Sequence, residues 1–377
     1  MLALCTALSQ NPDFQTLLSR LQAGETPIVF SGLSHIHKLH TAATIRRITG
    51  RPVCLVFADE YDARRAVRDL AVLAEEAPLV LPPREFAFYH VENASHEWEF
   101  ERLTAFSALT DHQAGLTLTS AWALLQRTLP RDVFAASRMT LRLGDTLAPE
   151  TLVQTLLDFG YARTTQVEVP GQFALRGGIL DVYSPQQAHP VRIEFFGDDV
   201  DAMGVFDPET QRRLENCTTC TMMASRETRA DDAARAALLT ALTKKRKTLE
   251  KNPDHAALCK TLAEDCERLE SGSIFPALDR YLPLLYPEFT TASDYFPENT
   301  VFLLDDHARV REAASRALDQ HNEDRKLLME NGTLLPRGGE FVRPLPAFAD
   351  LLATRPSVYL DTFPHASYHI PHPRPSK

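Results

Sequence analysis

Nucleotide chemistry is the first activity that residue types and spacing in this chain suggest. The apolar residues 301–304 run into Asp305 and Asp306, the pattern of a buried strand with carboxylates at its carboxyl end. Carboxylates at that place hold Mg²⁺ and orient the attacking water in nucleotide-hydrolysing proteins. Gly32 and Lys38 follow the first apolar run, where a phosphate-binding loop would lie in a parallel sheet.

A working phosphate loop needs more than these residues. Its GxxxxGK[ST] pattern supplies backbone N–H groups around the phosphates, a lysine for their oxygens and a hydroxyl for Mg²⁺. Residues 31–41 read SGLSHIHKLHT, and the chain has no Gly-Lys-Ser or Gly-Lys-Thr. We therefore predict a plain helix start with Ser34 as N-cap and no nucleotide hydrolysis. His35 and His37 are two positions apart, so they point to different helix faces and make a poor metal pair.

The Cys217-Thr-Thr-Cys220 segment has the spacing of half a zinc site or of a redox pair. No second CxxC or HxxxH completes a ligand set, and six scattered cysteines do not form a disulfide scaffold. We expect neither a metal nor a redox role. The sequence thus predicts no metal site and a reducing compartment.

The segment 191–196 carries the most informative polar pattern. Side chains alternate along a strand, so Arg192, Glu194 and Phe196 share one face while three apolar residues share the other. Arginine and aromatic residues are enriched at binding hot spots. Two interpretations stay open: either Phe196 lies exposed in a binding surface, or a second layer covers this face and buries it.

The chain around these residues combines two patterns of secondary structure. Strands and helices alternate up to residue 127, which predicts α/β architecture with a parallel sheet. Residues 169–207 instead read as short antiparallel strands, with a helix over 149–159, and predict a small inserted α+β domain. We also predict one amphipathic helix over residues 1–20 and a charged helical stretch over 226–269, which contains a basic cluster, Lys-Lys-Arg-Lys at 244–247. The cluster is interpreted as a solvated helix face, with a nucleic-acid patch as the alternative.

The composition is that of an ordinary globular protein, with 377 residues and a net charge of −10. This charge disfavours a nucleic-acid surface spread over the whole molecule. No apolar run approaches the roughly 20 residues of a membrane helix, and the first residues lack a secretory pattern. Together with the few scattered cysteines, this fits a protein of a bacterial or other reducing cytosol.

Three segments carry a resemblance to a known family: PGQFALRGGILDVYSP, RIEFFGDDVDAMGVFDPETQR and DYFPENTVFLLDDH. They resemble the amino-terminal module shared by the excision-repair protein UvrB and the transcription-repair coupling factors, over residues 25–363. UvrB-type proteins keep a GTGKT loop and a DNA-clamping hairpin after the third strand. This chain lacks the loop, and the 15 residues PPREFAFYHVENASH are too short for the hairpin. The resemblance is therefore closer to the coupling factors.

The resemblance implies a layout of four parts. Residues 1–137 and 225–363 are expected to be two helicase-like (RecA-like) lobes that have lost ATPase function. Residues 138–224 are expected to be the inserted domain that docks on UvrA, and 364–377 a linker. The implied UvrA contacts fall on Arg176, Arg192 and Phe196. The degenerate nucleotide motifs fall on the following residues: Gly32, Lys38, Asp305 and Asp306.

The implied function is to recruit UvrA and thereby link stalled RNA polymerase to nucleotide excision repair. The chain is expected to be an amino-terminal fragment of a longer protein. ATP and Mg²⁺ are expected only in the motor domains of that protein, where RNA polymerase and duplex DNA would also bind. A carboxyl-terminal domain is expected to mask the UvrA face. The alternative is an active UvrB-like, nucleotide-dependent DNA-remodelling enzyme, which DNA-stimulated ATP hydrolysis would reveal.

Overall fold

The structure is a computed structural model that describes residues 2–89, 96–271, 276–336 and 339–364. Strands and helices alternate in its first part, as predicted for the residues up to 127. The elements are α1 (Leu2–Ser9), α2 (Pro12–Gln22), β1 (Ile28–Ser31), α3 (His35–Thr49), β2 (Val53–Phe57), α4 (Glu60–Ala74), β3 (Leu79–Leu81), α5 (Glu97–Thr110), β4 (Leu116–Ser120), α6 (Ala121–Leu125) and α7 (Arg131–Ala136).

The middle of the chain is rich in strands. It comprises β5 (Arg138–Arg142), α8 (Pro149–Asp158), β6 (Ala162–Arg163), β7 (Gln172–Arg176), β8 (Ile179–Tyr183), β9 (Val191–Phe196), β10 (Asp199–Phe206), β11 (Arg213–Asn216) and β12 (Thr219–Met223). Helices dominate the rest, which comprises α9 (Asp232–Leu249), α10 (Ala256–Glu270), α11 (Leu282–Leu285), β13 (Val301–Asp305), α12 (His307–Glu330), α13 (Leu345–Thr354) and β14 (Ser357–Asp361).

A six-stranded parallel sheet forms the body of the molecule, in the order β1-β14-β13-β2-β4-β3. Its central strands are buried, and β2 and residues 301–304 of β13 are wholly apolar, as expected of a parallel sheet covered by helices. The predicted α/β class with an inserted small domain is confirmed. The ranges 1–137 and 225–363, predicted as two lobes, instead contribute strands to this one sheet, because β13 and β14 lie between β1 and β2.

The inserted domain has its own six-stranded sheet, β11-β10-β9-β8-β7-β6, which is mostly antiparallel. Where the chain enters and leaves this domain, β5 and β12 pair with each other. Helix α8 covers the inner face of the sheet, and its Leu152 and Leu156 join a core with Phe173, Leu180 and Ile193. On the opposite face, the described residues form a small cluster around Phe206.

Two helical predictions differ from the structure in their boundaries. The single helix predicted over residues 1–20 is two helices, because Asn11 caps α2 by accepting hydrogen bonds from the Asp13 and Phe14 N–H groups. The long helical stretch predicted from 226 to 269 is divided between α9 and α10. Within the described ranges, no helix is long and apolar enough to cross a membrane. Beyond its first residue, the predicted linker 364–377 lies outside the described residues.

Candidate functional site

The outer face of the inserted sheet is formed by the side chains that alternation excludes from the core. In β9, Val191 and Ile193 are buried against the inner core. Arg192 and Phe196 therefore face outward, as predicted, and the Phe196 side chain is 82% exposed. No described element covers this aromatic ring, so the interpretation in which a second layer buries Phe196 is wrong for the described part of the chain.

A buried carboxylate joins the two arginines on this face. Asp181 lies in β8, opposite Arg192 of β9, and its side chain is fully buried (0% exposed). Arg192 donates from Nε to Asp181 Oδ1 at 2.7 Å and from Nη2 to Oδ2 at 2.9 Å. Arg176 donates from Nη2 to Asp181 Oδ2 at 2.5 Å. The structure thus brings Arg176 and Arg192 together on one counter-ion.

The guanidinium of Arg192 is held on a second side as well. It lies over the ring of Phe206, with its central carbon 4.6 Å from the ring centroid, a cation–π geometry. Hydrogen bonding to Asp181 raises the pKa of Arg192. Gln211, whose side chain accepts from Arg192 at 3.4 Å, is itself tied to the Val167 carbonyl. Arg192 is therefore part of the framework of this face as well as of its surface.

Next to Phe196, the backbone at Gly178 packs closely against β9. Phe195 N–H donates to the Gly178 carbonyl at 2.7 Å. A Cβ at Gly178 would lie 2.9 Å from the Phe195 carbonyl oxygen, so only glycine fits there without a shift. Beside it, Ile179 is partly exposed, and the Glu194 carboxylate pairs with Arg213 at 2.5 Å. The exposed face is thus apolar at Phe196 and Ile179 and cationic at Arg176.

Sequence reasoning missed Asp181. A signal was present, because alternation in β8 places Asp181 on the face opposite the core residues Leu180 and Val182. The role of its charge, however, depends on Arg176 and Arg192, which come close to it only because β7 and β9 pair with β8 on either side. Arg176 reaches it diagonally, from two positions beyond Ala174, the residue directly opposite Asp181.

The predicted nucleotide residues also meet, at the carboxyl ends of the body strands. Lys38 Nζ lies 2.5 Å from Asp305 Oδ1 and 2.6 Å from Asp306 Oδ2, and the lysine side chain is only 3% exposed. Burial opposes ionisation of Asp306, but hydrogen bonds from Lys38 and Thr362 hold its pKa below the usual value. The groups that would bind phosphate and Mg²⁺ in an active site therefore neutralise each other.

The loop before α3 gives little room for phosphates. Only residues 32–34 separate β1 from α3, and Gly32 has a left-handed φ of 85°. Ser34 is the N-cap residue as predicted, but its side chain makes no capping bond and contacts His37 Nδ1 at 3.1 Å. Among the described residues, no group of three His, Cys, Asp or Glu side chains could hold a metal.

The CxxC segment has the wrong environment for thiolate chemistry. Burial raises the pKa of Cys220 to about 12 and raises that of Cys217 as well. Reactive cysteines need a lowered thiol pKa, so this environment disfavours a redox or ligand role.

The basic cluster lies on α9, where Arg246 pairs with Glu250 at 3.3 Å while Lys244 and Lys247 are exposed.

The chain thus combines an α/β body with an inserted β-rich domain that exposes an arginine and aromatic face. Residues 139–227 match the UvrB interaction domain family. The chain is 28% identical over 97% of its length to the transcription-repair-coupling factor of Bacillus subtilis (strain 168). It is 26% identical over 66% of its length to that of Haemophilus influenzae, and 26% over 83% to that of Staphylococcus aureus (strain MRSA252).

These alignments cover 31%, 21% and 27% of the respective relatives. The chain therefore spans less than a third of the length of the curated relatives it matches. The resemblance predicted from the sequence, to the UvrB-like module of transcription-repair coupling factors, is confirmed by these matches.

Proposed function

We propose that this chain docks UvrA through the outer face of its inserted domain, as the UvrA-recruiting module of a transcription-repair coupling factor. The observation that carries the proposal is Phe196, a large aromatic side chain that is almost fully exposed at the end of β9. Arg176 and Arg192 lie on the same face of the sheet. In this proposal the module acts in the bacterial cytoplasm, and the rest of a longer protein contacts RNA polymerase and duplex DNA.

Three properties of this face support a docking role. Exposed aromatic and arginine side chains are the residue types that dominate binding energy at protein interfaces. The face belongs to a sheet whose other side is packed, so binding would require little reordering. The face also lies within the segment that matches the UvrB interaction domain.

Replacing Phe196 with alanine tests this proposal directly. We expect binding to purified UvrA to weaken about 30-fold or more, since truncating a hot-spot aromatic costs about 2 kcal/mol. The fold should be unaffected because the ring packs in no core cluster of the described residues. The measurement is a titration of UvrA against the whole chain by calorimetry or biolayer interferometry.

The matched control is Leu214→Ala. Leu214 is also an exposed large apolar residue of the same sheet, but it lies in β11, away from the β9–β10 turn that carries Phe196. We expect UvrA affinity to be unchanged in this variant. Equal affinities for wild type, Phe196→Ala and Leu214→Ala would show that UvrA does not dock on this face.

We further propose that the site at the carboxyl ends of the body strands, where Lys38 meets Asp305 and Asp306, does not hydrolyse nucleotide, and that this stretch uses no cofactor. The proposal is supported by Lys38, a buried lysine whose ammonium pairs with both the Asp305 and the Asp306 carboxylates. An incoming phosphate would have to displace both carboxylates from the lysine. In this proposal, the ion pairs of Lys38 with Asp305 and Asp306 occupy the place of a bound nucleotide and stabilise the fold.

Lys38→Met should accordingly destabilise the body. We expect a loss of about 2 kcal/mol in the free energy of unfolding, because Asp305 and Asp306 lose their shared partner while staying partly hydrated. Millimolar ATP with Mg²⁺ should leave the melting temperature of the wild-type chain unchanged, since only a bound ligand stabilises the native state. Urea unfolding and thermal melts measure the two effects.

The control for the lysine is Lys326→Met, which removes an exposed lysine 3.8 Å from Glu330. Its stability should be within about 1 kcal/mol of wild type. A rise of several degrees in melting temperature with ATP, together with DNA-stimulated hydrolysis lost in Asp305→Ala, would instead establish the active-enzyme alternative.

A further inference from the structure

Asp181 is a buried carboxylate on the outer face of the inserted sheet, here called the docking face, and it contacts both Arg176 and Arg192. Its oxygens accept three charged hydrogen bonds within 2.9 Å, two from Arg192 and one from Arg176. It lies in β8, with β7 and β9 on either side. A fully desolvated charge is tolerated only when it is paired in this way, so the positions of both guanidinium groups are fixed by Asp181.

The two arginines use this carboxylate differently. Arg192 makes a two-point contact, stacks on Phe206 and is 22% exposed. Arg176 uses only Nη2 for Asp181 and is 48% exposed. Among the described residues, no acceptor takes up the other guanidinium N–H groups of Arg176. Arg176 therefore keeps donors for an external partner, whereas those of Arg192 are largely consumed internally.

We propose that Asp181 is a positioning residue of the docking face: it makes Arg192 the internal support and aims Arg176 outward as the charged contact beside Phe196. This proposal rests on the proposed function and specifies the chemistry of the partner surface. That surface presents an apolar pocket for Phe196 and Ile179 and an acidic group for Arg176. A pocket that required charge pairing with both arginines would not fit this face.

A physical reason favours such an arrangement. A free arginine loses side-chain entropy when a partner immobilises it, and this loss opposes binding. Arg176 held by Asp181 has lost part of that freedom before the partner arrives. The buried carboxylate also offsets one of the two positive charges, so the face attracts an acidic group without repelling the rest of the partner surface strongly.

The test is a double-mutant cycle on UvrA binding with Asp181→Asn and Arg176→Ala in the whole chain. Asparagine has nearly the shape of aspartate and can still accept from Arg192 through its amide oxygen. We expect Asp181→Asn and Arg176→Ala each to weaken binding about tenfold, and the double variant to bind about as weakly as either single one. Phe196→Ala should weaken UvrA binding by the same factor in the wild type, in each single variant and in the double variant.

Simple additivity of the two effects, or wild-type affinity in Asp181→Asn, would show that Asp181 does not act through Arg176. If Phe196→Ala itself leaves binding unchanged, the proposed function fails instead, so the two failures are distinguishable. A second pair of variants is independent of how well Asp181→Asn folds. Arg176→Gln should weaken binding with an unchanged melting temperature, whereas Arg192→Gln should lower the melting temperature. Equal thermal effects of the two would overturn the division of roles.

Discussion

Glu227→Gln is expected to lower the free energy of unfolding by about 3–5 kcal/mol, because it leaves the buried Arg102 without a counter-ion and leaves Arg84 paired with Asp279 alone. Glu227 is fully buried, as are its partners Arg84 and Arg102. Its Oε1 accepts from Arg102 Nε at 3.0 Å, and its Oε2 lies 3.2 Å from Arg84 Nη1. Glutamine would turn one of these oxygens into an NH₂ group facing a cation.

Because of the position of Glu227, this loss of stability should affect the junction between the body and the inserted domain. The chain leaves the inserted domain through β12, which ends at Met223, and Glu227 follows four residues later. Its backbone N–H donates to Glu99 of α5 at 2.7 Å, and its carboxylate accepts from Thr128 at 3.0 Å. One residue therefore anchors the exit strand of the insert to the core of the body.

Urea unfolding followed by tryptophan fluorescence measures the effect, since Trp98 and Trp122 are the two tryptophans of the chain and both belong to the body. The denaturation midpoint should fall with an unchanged slope. Glu330→Gln provides the same chemical change in an exposed pair and should shift stability by no more than about 1 kcal/mol. A Glu227→Gln midpoint equal to that of Glu330→Gln would show that the buried network contributes no net stability.

Local patterns in the sequence were sufficient to predict the strand that carries the site. Strand β9 runs over Val191–Phe196 as predicted, and the hairpin at residues 197–198 joins it to β10. The alternation of side chains along a strand depends only on neighbouring residues, so it can be predicted from the local sequence. The same holds for Asp305 and Asp306, which lie at the end of β13 because the apolar run before them is a strand.

Long-range pairing was not accessible from these patterns. The ion pair between Arg102 and Glu227 joins residues 125 positions apart, and nothing in either local sequence indicates the partner of the other. The merging of two predicted lobes into one sheet has the same cause, since strand order depends on contacts between distant segments. Asp181 is an intermediate case: its face was predictable from alternation, but its two arginine partners required the register of three strands.

The second large effect is expected for Arg192→Ala, and it concerns folding more than docking. Truncation removes both hydrogen bonds to Asp181 and the contact with Phe206. The buried carboxylate keeps only Arg176, which is half exposed, so the inserted domain should lose about 3 kcal/mol. Amide hydrogen exchange in β8 and β9 is the suitable measurement, because residues 138–224 contain no tryptophan. Exchange there should accelerate about a hundredfold.

Weakened UvrA binding by Arg192→Ala therefore does not by itself identify a contact. Arg176→Ala is the matched control, since it removes an arginine from the same carboxylate and should cost the fold no more than about 1 kcal/mol. Replacing the pair together, Asp181→Leu with Arg192→Met, should recover much of the stability, because an apolar pair leaves no charge unpaired. If Arg192→Ala abolishes UvrA binding while exchange in β8 and β9 stays at the wild-type rate, Arg192 is a direct contact and its internal bonds are secondary.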